Sequence, residues 1–471
     1  MHQRSRTAPV LAAALAAGLF AAVPAHAAPS ASPHGRSDVN GDGYGDLVTA
    51  SEATVAGLAH AGAIVVNTGS ADGISAKRVQ IVTQNSAGVP GAAEKGDLFG
   101  SVLATADLND DGYTDVVAGT PAEDVDGDVD GGTVAVLWGT KSGLGSGTTL
   151  PDPAPSAHDR FGDRLAVGDF NGDGQPELAV GTDSNDVWIF EGVSSAGATG
   201  KRRLDTAVAA DGPDYYRSLA AGDFDGDGTD DLVVGGRYDE DNSFDGAALV
   251  YPGAAGAYTV LPDEAHVAAA GDFDGDGRDD LVTGSPDDNS ITAYRGGAQG
   301  LAASSRTTLT QDSPGVPGVT EQEDSFGDAV AVGDVNRDGY ADVVVGDDFE
   351  AIGTVQNAGE VVVLHGSAAG LTGTGAQVVH QGTEGVPGAN ETYDRFGATV
   401  RLTDTDRDGY DDLAAAAPTE NTSNGALWSL HGSSGGVSAG KAVSFSAATA
   451  GLSQEPYQYF GQSMPTSTYG S

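Results

Sequence analysis

The sequence has no cysteine, and its 22 lysine and arginine residues face 68 aspartate and glutamate residues. A chain without cysteine has no disulfide bridges and no thiol for a lipid anchor. A net charge of −46 argues against nucleic acid or an anionic membrane as a partner, because like charges repel. After the N-terminal region no apolar run is long enough to cross a bilayer, so we expect no membrane span.

Residues 1–27 have the three parts of a secretory signal peptide. Two early arginines supply positive charge, residues 11–23 form an alanine-rich apolar run, and residues 25–27 are an A-x-A cleavage site. A short membrane anchor is the alternative, but the short run and the well-placed cleavage site favour a signal peptide. We therefore expect residues 28–471 to be a secreted, extracellular protein.

The acidic residues recur in seven nine-residue segments of the pattern D-x-[DN]-x-D-G-x-x-[DE]. The segments begin at Asp38, Asp107, Asp169, Asp223, Asp272, Asp334 and Asp404, at spacings of 49 to 70 residues. Each is followed by a short apolar run rich in valine, and helical periodicity is almost absent. Strand-rich repeats of this length are typical of propeller blades. The sequence thus predicts an all-β fold, a seven-bladed β-propeller of four-stranded blades.

The two ends of the chain indicate how the ring closes. A Phe-Gly pair stands eight residues before the acidic segment in four repeats, as at Phe99 and Phe326. The first repeat lacks this pair, while Phe460 and Gly461 form one with no acidic segment after it. We therefore predict that residues 456–471 join blade 1 as its innermost strand and leave no open edge.

These motifs resemble the FG-GAP repeat of the integrin α-chain β-propeller, over nearly all of residues 28–471. The fourth repeat departs from the motif with Tyr215 and Tyr216 in place of Phe-Gly, and the fifth has Glu264 and Ala265. The resemblance implies the propeller, an extracellular location and a ligand surface on the face opposite the acidic segments. A role in cell adhesion is implied by the resemblance alone.

The acidic segments have the composition of calcium loops. Calcium takes six to eight oxygen ligands, and alternate residues of a tight loop offer them from side chains at positions 1, 3, 5 and 9 and from the carbonyl of position 7. An Asp/Gly turn without metal is the alternative for any one loop, but seven matched copies favour up to seven structural Ca²⁺ ions. The predicted ligands are Asp38, Asn40, Asp42, Tyr44, Asp46; Asp107, Asn109, Asp111, Tyr113, Asp115; Asp169, Asn171, Asp173, Gln175, Glu177; Asp223, Asp225, Asp227, Thr229, Asp231; Asp272, Asp274, Asp276, Arg278, Asp280; Asp334, Asn336, Asp338, Tyr340, Asp342; and Asp404, Asp406, Asp408, Tyr410, Asp412.

No catalytic residue or organic cofactor is predicted, and enzymatic activity stays open. Residues 432–436 match a nucleophile elbow, but they stand where each blade has a glycine-rich turn, and the elbow needs a following helix. Three segments between blades share the ending G-V-P-G, at residues 84–91, 311–318 and 381–388. They are rigid duplicated turns or part of a recognition surface.

The sequence therefore favours a monomeric recognition or adhesion module for an extracellular glycan or protein. A propeller-scaffold enzyme acting on polysaccharides or esters, and a purely structural interaction protein, are the alternatives.

Overall fold

A computed structural model describes residues 37–208, 218–238, 245–453, 455–465 and 468–469. The predicted signal peptide lies outside these residues, as do Tyr215 and Tyr216 of the fourth repeat. The described residues form seven β-sheets and very little helix.

Each sheet is one blade, and in blades 3 to 7 its four strands are hydrogen-bonded in chain order. Blade 1 has three strands in chain order, and a two-residue C-terminal strand adds to the edge of blade 2. Blade 1 contains β1 (Leu47–Ser51), β2 (Ala63–Asn67) and β3 (Val79–Val82); blade 2 β4 (Val102–Ala106), β5 (Asp115–Thr120), β6 (Thr133–Leu137) and β7 (Gly147–Leu150); blade 3 β8 (Arg164–Gly168), β9 (Glu177–Gly181), β10 (Asp186–Glu191) and β11 (Gly200–Asp205); blade 4 β12 (Ser218–Gly222), β13 (Asp231–Tyr238), β14 (Asp245–Tyr251) and β15 (Thr259–Leu261); blade 5 β16 (Val267–Gly271), β17 (Asp280–Ser285), β18 (Ser290–Tyr294) and β19 (Arg306–Leu309); blade 6 β20 (Ala329–Gly333), β21 (Asp342–Asp347), β22 (Glu360–His365) and β23 (Thr372–Val379); blade 7 β24 (Thr399–Thr403), β25 (Asp412–Ala417), β26 (Ala426–His431) and β27 (Ser438–Ser446). The remaining elements are β28 (Thr468–Tyr469), the four-residue turn α1 (Glu420–Ser423), whose last three residues have a left-handed backbone, the four-residue helix α2 (Ala447–Ala450), and three 3-10 turns at Pro252–Ala254, Pro286–Asp288 and Ala303–Ser305.

The second strand of each blade is buried on both faces because a neighbouring blade covers each side. All six residues of β5 and of β21 are buried, which explains their continuous apolar runs where a half-exposed strand would alternate. Outer strands alternate instead, as in β11, where only Leu204 is buried. The core is thus a set of seven apolar layers between blades.

The Phe-Gly pairs join neighbouring blades. The Phe161 amide donates to the Gly131 carbonyl of blade 2 at 3.0 Å, while the Gly162 amide donates to Gly181 of its own blade at 3.0 Å. The phenylalanine ring is buried between the two blades, and the glycine has a φ of +95°, a conformation that disfavours other residues. One dipeptide therefore bonds to the second strand of its own blade and also holds that blade against the previous one.

The same contacts close the ring. The Phe460 amide donates to Asn424 of blade 7 at 3.1 Å, and the Gly461 amide donates to Ala50 of blade 1 at 3.0 Å. The Ala50 amide in turn donates to the Ser463 carbonyl at 2.9 Å. The C-terminal segment therefore lies as the innermost element of blade 1, against blade 7.

The segment that completes blade 1 is shorter than the predicted residues 456–471. Thr468–Tyr469 pair in parallel with Thr105 and Ala106 of blade 2. The physical reason is that Ser37 already takes the end of the innermost position, where its carbonyl accepts the Asp46 amide at 2.7 Å. The innermost position of blade 1 is thus filled by residues from both ends of the described chain, Ser37 and Gly461 to Ser463.

Candidate metal centres

The seven acidic loops connect the first and second strands of the blades and lie together on one end of the ring, here called the loop face. In each loop the position-1 aspartate accepts the amides of positions 5 and 6, one on each carboxylate oxygen, at 2.6–3.2 Å. The position-6 glycine has a φ between +83° and +89° in all seven. The loops are therefore copies of one conformation, which requires glycine at position 6.

The position-9 carboxylate is buried and has a structural role that the sequence did not indicate. One Asp115 oxygen accepts the amide of Leu108 at 3.1 Å, and the other accepts the amide of Gly139, just after the third strand, at 2.8 Å. Asp46, Asp280, Asp342 and Asp412 make the same two bonds. Position 9 thus ties the loop to the turn that ends the third strand.

Burial of these carboxylates has an electrostatic cost. It raises the pKa of Asp46, Asp115 and Asp280 from 3.8 to about 7, and repulsion from the other acids of each loop adds to the shift. Glu177 and Asp231 are likewise raised to about 7, with burial as the largest cause. A cation beside these groups would favour their ionised forms.

The loop side chains converge as a calcium site requires. Ligand atoms of Asp272, Asp274 and Asp276 lie within 4.8 Å of one another, and those of the loops beginning at Asp169 and Asp223 do the same. Oxygen Oδ1 of Asn109 and Oε2 of Glu177 are buried without a hydrogen-bond partner. All-oxygen donors, crowded carboxylates and unsatisfied buried oxygens fit a hard cation such as calcium.

Two histidines lie at this end of the ring, beside the acidic loops. His365 Nδ1 lies 3.1 Å from Asp342 Oδ1, and His431 Nδ1 lies 3.1 Å from Asp406 Oδ2. The bond to Asp342 is the largest cause of a raised pKa at His365. The protonation of His365 therefore depends on the charge of the loop carboxylate Asp342.

The loops are also bonded to one another around the ring. The position-8 amide of each loop donates to the position-1 carbonyl of the previous blade at 2.8–3.0 Å, including Gly45 to Asp404 across the closure. This pattern holds at six of the seven blade junctions, and the seventh position 8 is Pro176, which has no amide hydrogen. Where position 8 is Asp230, Asp279 or Asp411, its carboxylate also accepts the position-1 amide of the previous loop.

The opposite end of the ring, here called the junction face, carries the connections between blades and the loops between second and third strands. It has a groove of about 450 Å³ between blades 6 and 7, lined among others by Phe349, Tyr393 and Arg395. The Tyr393 side chain is 60% exposed, and the Arg395 guanidinium lies 4.4 Å from the centre of the Phe349 ring. Arg395 also pairs with Asp348 at 2.5 Å, so this cation is fixed in place.

Other sequence candidates have structural roles. Trp138 and Trp428 are buried in blade cores. The Ser433 hydroxyl donates to the Gly436 carbonyl at 2.7 Å within a tight turn, and strand β27 follows with no helix between. Residues 432–436 therefore lack the geometry of a nucleophile elbow.

Comparison with known proteins identifies the repeats. The model of the FG-GAP-like repeat matches residues 169–234 and 272–345, and that of the FG-GAP repeat matches residues 99–137 and 396–430. None of the described helices is long and apolar enough to cross a bilayer.

The chain is also similar to parts of larger proteins. Phosphatidylinositol-glycan-specific phospholipase D of Rattus norvegicus is 33% identical over 154 residues, which are 29% of this chain and 18% of that protein. Integrin alpha-7 of Homo sapiens is 35% identical over 147 residues, 30% of this chain and 12% of that protein. The match thus spans less than a fifth of these relatives. A mutant of AofleA from Arthrobotrys oligospora aligns with a TM-score of 0.41 and 12% identity, over 74% of this chain and 90% of that chain.

Proposed function

The chain is an FG-GAP-repeat β-propeller similar to integrin alpha-chains, and from that premise we propose that it is a secreted, calcium-stabilised recognition module. Its ligand is an extracellular glycan or protein that binds the junction face. The observation that carries the proposal is the groove between blades 6 and 7, with its exposed aromatic side chain and fixed cation. Export follows from the N-terminal signal pattern.

Calcium has a structural role in this proposal. Side chains at loop positions 1, 3, 5 and 9 and the position-7 carbonyl hold the ion, which supplies positive charge to carboxylates already crowded together. Extracellular calcium modules have dissociation constants of roughly 0.1–1 mM, so at about 1 mM calcium a site at the tight end adds about 1.4 kcal/mol. Seven such sites add about 10 kcal/mol, as much as the stability of a typical domain.

The groove wall has a strained backbone, which supports a binding role. Asn421, Thr422 and Ser423 follow one another with φ of +55°, +63° and +59°. Three consecutive residues other than glycine in this region are costly, about 1–3 kcal/mol each, and such strain clusters at ligand sites. Thr419 fixes the wall because its hydroxyl donates to the carbonyls of Tyr393 and Asp394.

The chemistry of the groove favours a glycan over a flat protein surface. Tyr393 offers an exposed ring for stacking, while Thr422, Ser423 and Asn421 offer hydroxyl and amide groups for hydrogen bonds to sugar hydroxyls. The groove is an open cleft of about 450 Å³, so a ligand would lie along its surface and contact these groups from one side.

A binding screen tests the proposal. The calcium-loaded protein from residue 28 onward is passed over immobilised polysaccharides, glycans and matrix proteins, and each hit is repeated with Tyr393→Ala and Phe349→Ala. We expect a glycan hit that weakens at least tenfold in both variants. The control is Tyr457→Ala, which removes a ring that is 50% exposed elsewhere.

The other outcomes point to the alternatives. Hydrolysis of a panel member would identify an enzyme, and binding to nothing would favour a structural protein. A ligand whose affinity is the same for the wild type and for both groove variants would bind another surface, and this would contradict the groove assignment.

A further inference from the structure

A set of four residues recurs three times on the junction face at identical spacing. Each set has a glutamine, then a glutamate 10 residues later, an aspartate after 3 more, and a glutamate after another 26. The sets are Gln84, Glu94, Asp97 and Glu123; Gln311, Glu321, Asp324 and Glu350; and Gln381, Glu391, Asp394 and Glu420. They lie at the junctions of blades 1 and 2, 5 and 6, and 6 and 7.

The glutamines bring the sets together. The Gln84 amide donates to Glu123 Oε2 at 2.8 Å, Gln311 to Glu350 Oε2 at 3.2 Å, and Gln381 to Glu420 Oε2 at 2.8 Å. All three glutamines are at most 4% exposed, and the Oε1 atom of each is buried without a hydrogen-bond partner. An unsatisfied buried acceptor costs about 1–3 kcal/mol, and its recurrence at three equivalent positions calls for a partner.

The acids of each set are crowded and lack a countercharge. The aspartate is buried and accepts the amide of the first glutamate, at 2.5 Å for Asp97 and Asp324 and 2.8 Å for Asp394. In the third set the carboxyl groups of Asp394 and Glu420 contact each other. Within the described part of the chain, no lysine, arginine or histidine forms an ion pair with any of these nine carboxylates.

Blade 1 shows that the propeller does not need these acids at a junction. Relative to its Phe-Gly pair and its acidic loop, Gln458 takes the place of the aspartate and Thr54 that of the last glutamate. These neutral residues satisfy each other, with the Thr54 amide donating to Gln458 Oε1 at 3.1 Å. The acidic sets therefore serve a purpose other than joining blades.

We propose that each set binds a hard divalent cation, giving three metal sites on the junction face that are separate from the acidic loops. The glutamine Oε1, the buried aspartate and the half-buried second glutamate are the ligands, and the exposed first glutamate lies at the rim. Amide and carboxylate oxygens without nitrogen or sulfur donors are the ligands that calcium prefers. The third site borders the groove, because Glu391 and Asp394 also line it.

Calcium counting tests the proposal. Bound calcium per chain is measured by equilibrium dialysis for the full protein and for the triple variant Glu123→Gln, Glu350→Gln and Glu420→Gln. We expect the triple variant to bind three fewer ions per chain. Glu384→Gln, an exposed acid in the third connecting segment, is the matched control and should leave the count unchanged.

The loop variant Asp274→Asn separates this proposal from the loop sites, since it should cost one ion and leave the junction sites intact. An unchanged count in the triple variant would overturn the proposal and mean that the carboxyl pairs share protons instead. If the acidic loops do not bind calcium, the number of ions bound per chain will be unchanged in Asp274→Asn, whatever the triple variant shows.

Terbium luminescence gives a second readout that does not require the triple variant to fold. The Trp428 indole donates to the Pro387 carbonyl at 2.7 Å, so it lies against the segment that carries Gln381. In a protein that carries Trp138→Phe and Trp188→Phe, Trp428 is the remaining tryptophan, so indole-selective excitation should sensitise terbium at the third site. In that background Glu420→Gln should abolish the emission while Asp274→Asn preserves it. Emission that survives Glu420→Gln there would contradict the third site.

Discussion

The Phe460 side chain is the most direct probe of ring closure. It is fully buried in a cluster that combines Leu47 and Val65 of blade 1 with Ala416 and Leu427 of blade 7. Replacement of a fully buried phenylalanine by alanine costs about 3–5 kcal/mol, the transfer free energy plus the cavity. We therefore expect Phe460→Ala to lower the free energy of unfolding by that amount, although it lies only 11 residues from the C-terminus, at 460 of 471.

The assay is equilibrium urea unfolding at fixed calcium, with two comparison variants. Phe326→Ala removes the equivalent ring between blades 5 and 6, which is equally buried, and should cost the same. Tyr457→Ala removes a half-exposed ring nearby and should change stability by less than about 0.5 kcal/mol. If Phe460→Ala unfolds like Tyr457→Ala, the C-terminal segment does not close the ring and the reasoning fails.

Two further predictions concern the blade contacts and the loops. Gly277→Ala should lower the free energy of unfolding by only about 1–2 kcal/mol, because φ is +86° but an added Cβ meets nothing within 4 Å. Gly119→Ala should lower it clearly more, because its Cβ would lie 2.3 Å from the Gly162 carbonyl oxygen. Equal losses of the two variants in urea unfolding would contradict this prediction. In EDTA the free energy of unfolding should fall as the pH rises from 3.8 to about 7, because folded Asp46 and Asp115 still hold protons that the unfolded chain has released. Saturating calcium should remove or reverse that slope, and a rise in EDTA over this window would refute the assignment.

The repeat pattern allowed the propeller to be predicted because each motif residue has a local physical task. The position-6 glycines have the positive φ that the turn needs, and the Phe-Gly pairs form the contacts between blades. The orphan Phe460 and Gly461 correctly located the closure. Its extent was overestimated, because the competing contact of Ser37 is not visible in a sequence pattern.

The sequence was less informative about contacts between residues that are far apart in the chain. The second bond of Asp115, to Gly139 of the third strand, depends on how a strand end packs against a loop 24 residues away. The junction-face sets were visible in principle, since Gln84 and Glu123 have the same 39-residue separation as their two counterparts. From the sequence, these segments are interpreted only through their shared G-V-P-G turns. The spacing of the four residues does not by itself indicate that they lie close together in the fold.

Thermal unfolding with and without calcium shows whether the ion is a structural part of this propeller. The protein from residue 28 onward is melted in about 1 mM calcium and in EDTA, within the calcium range of extracellular modules. We expect EDTA to lower the melting temperature by many degrees, because several loop sites lose their stabilising ion together. An unchanged melting temperature would contradict calcium as a structural part of this propeller.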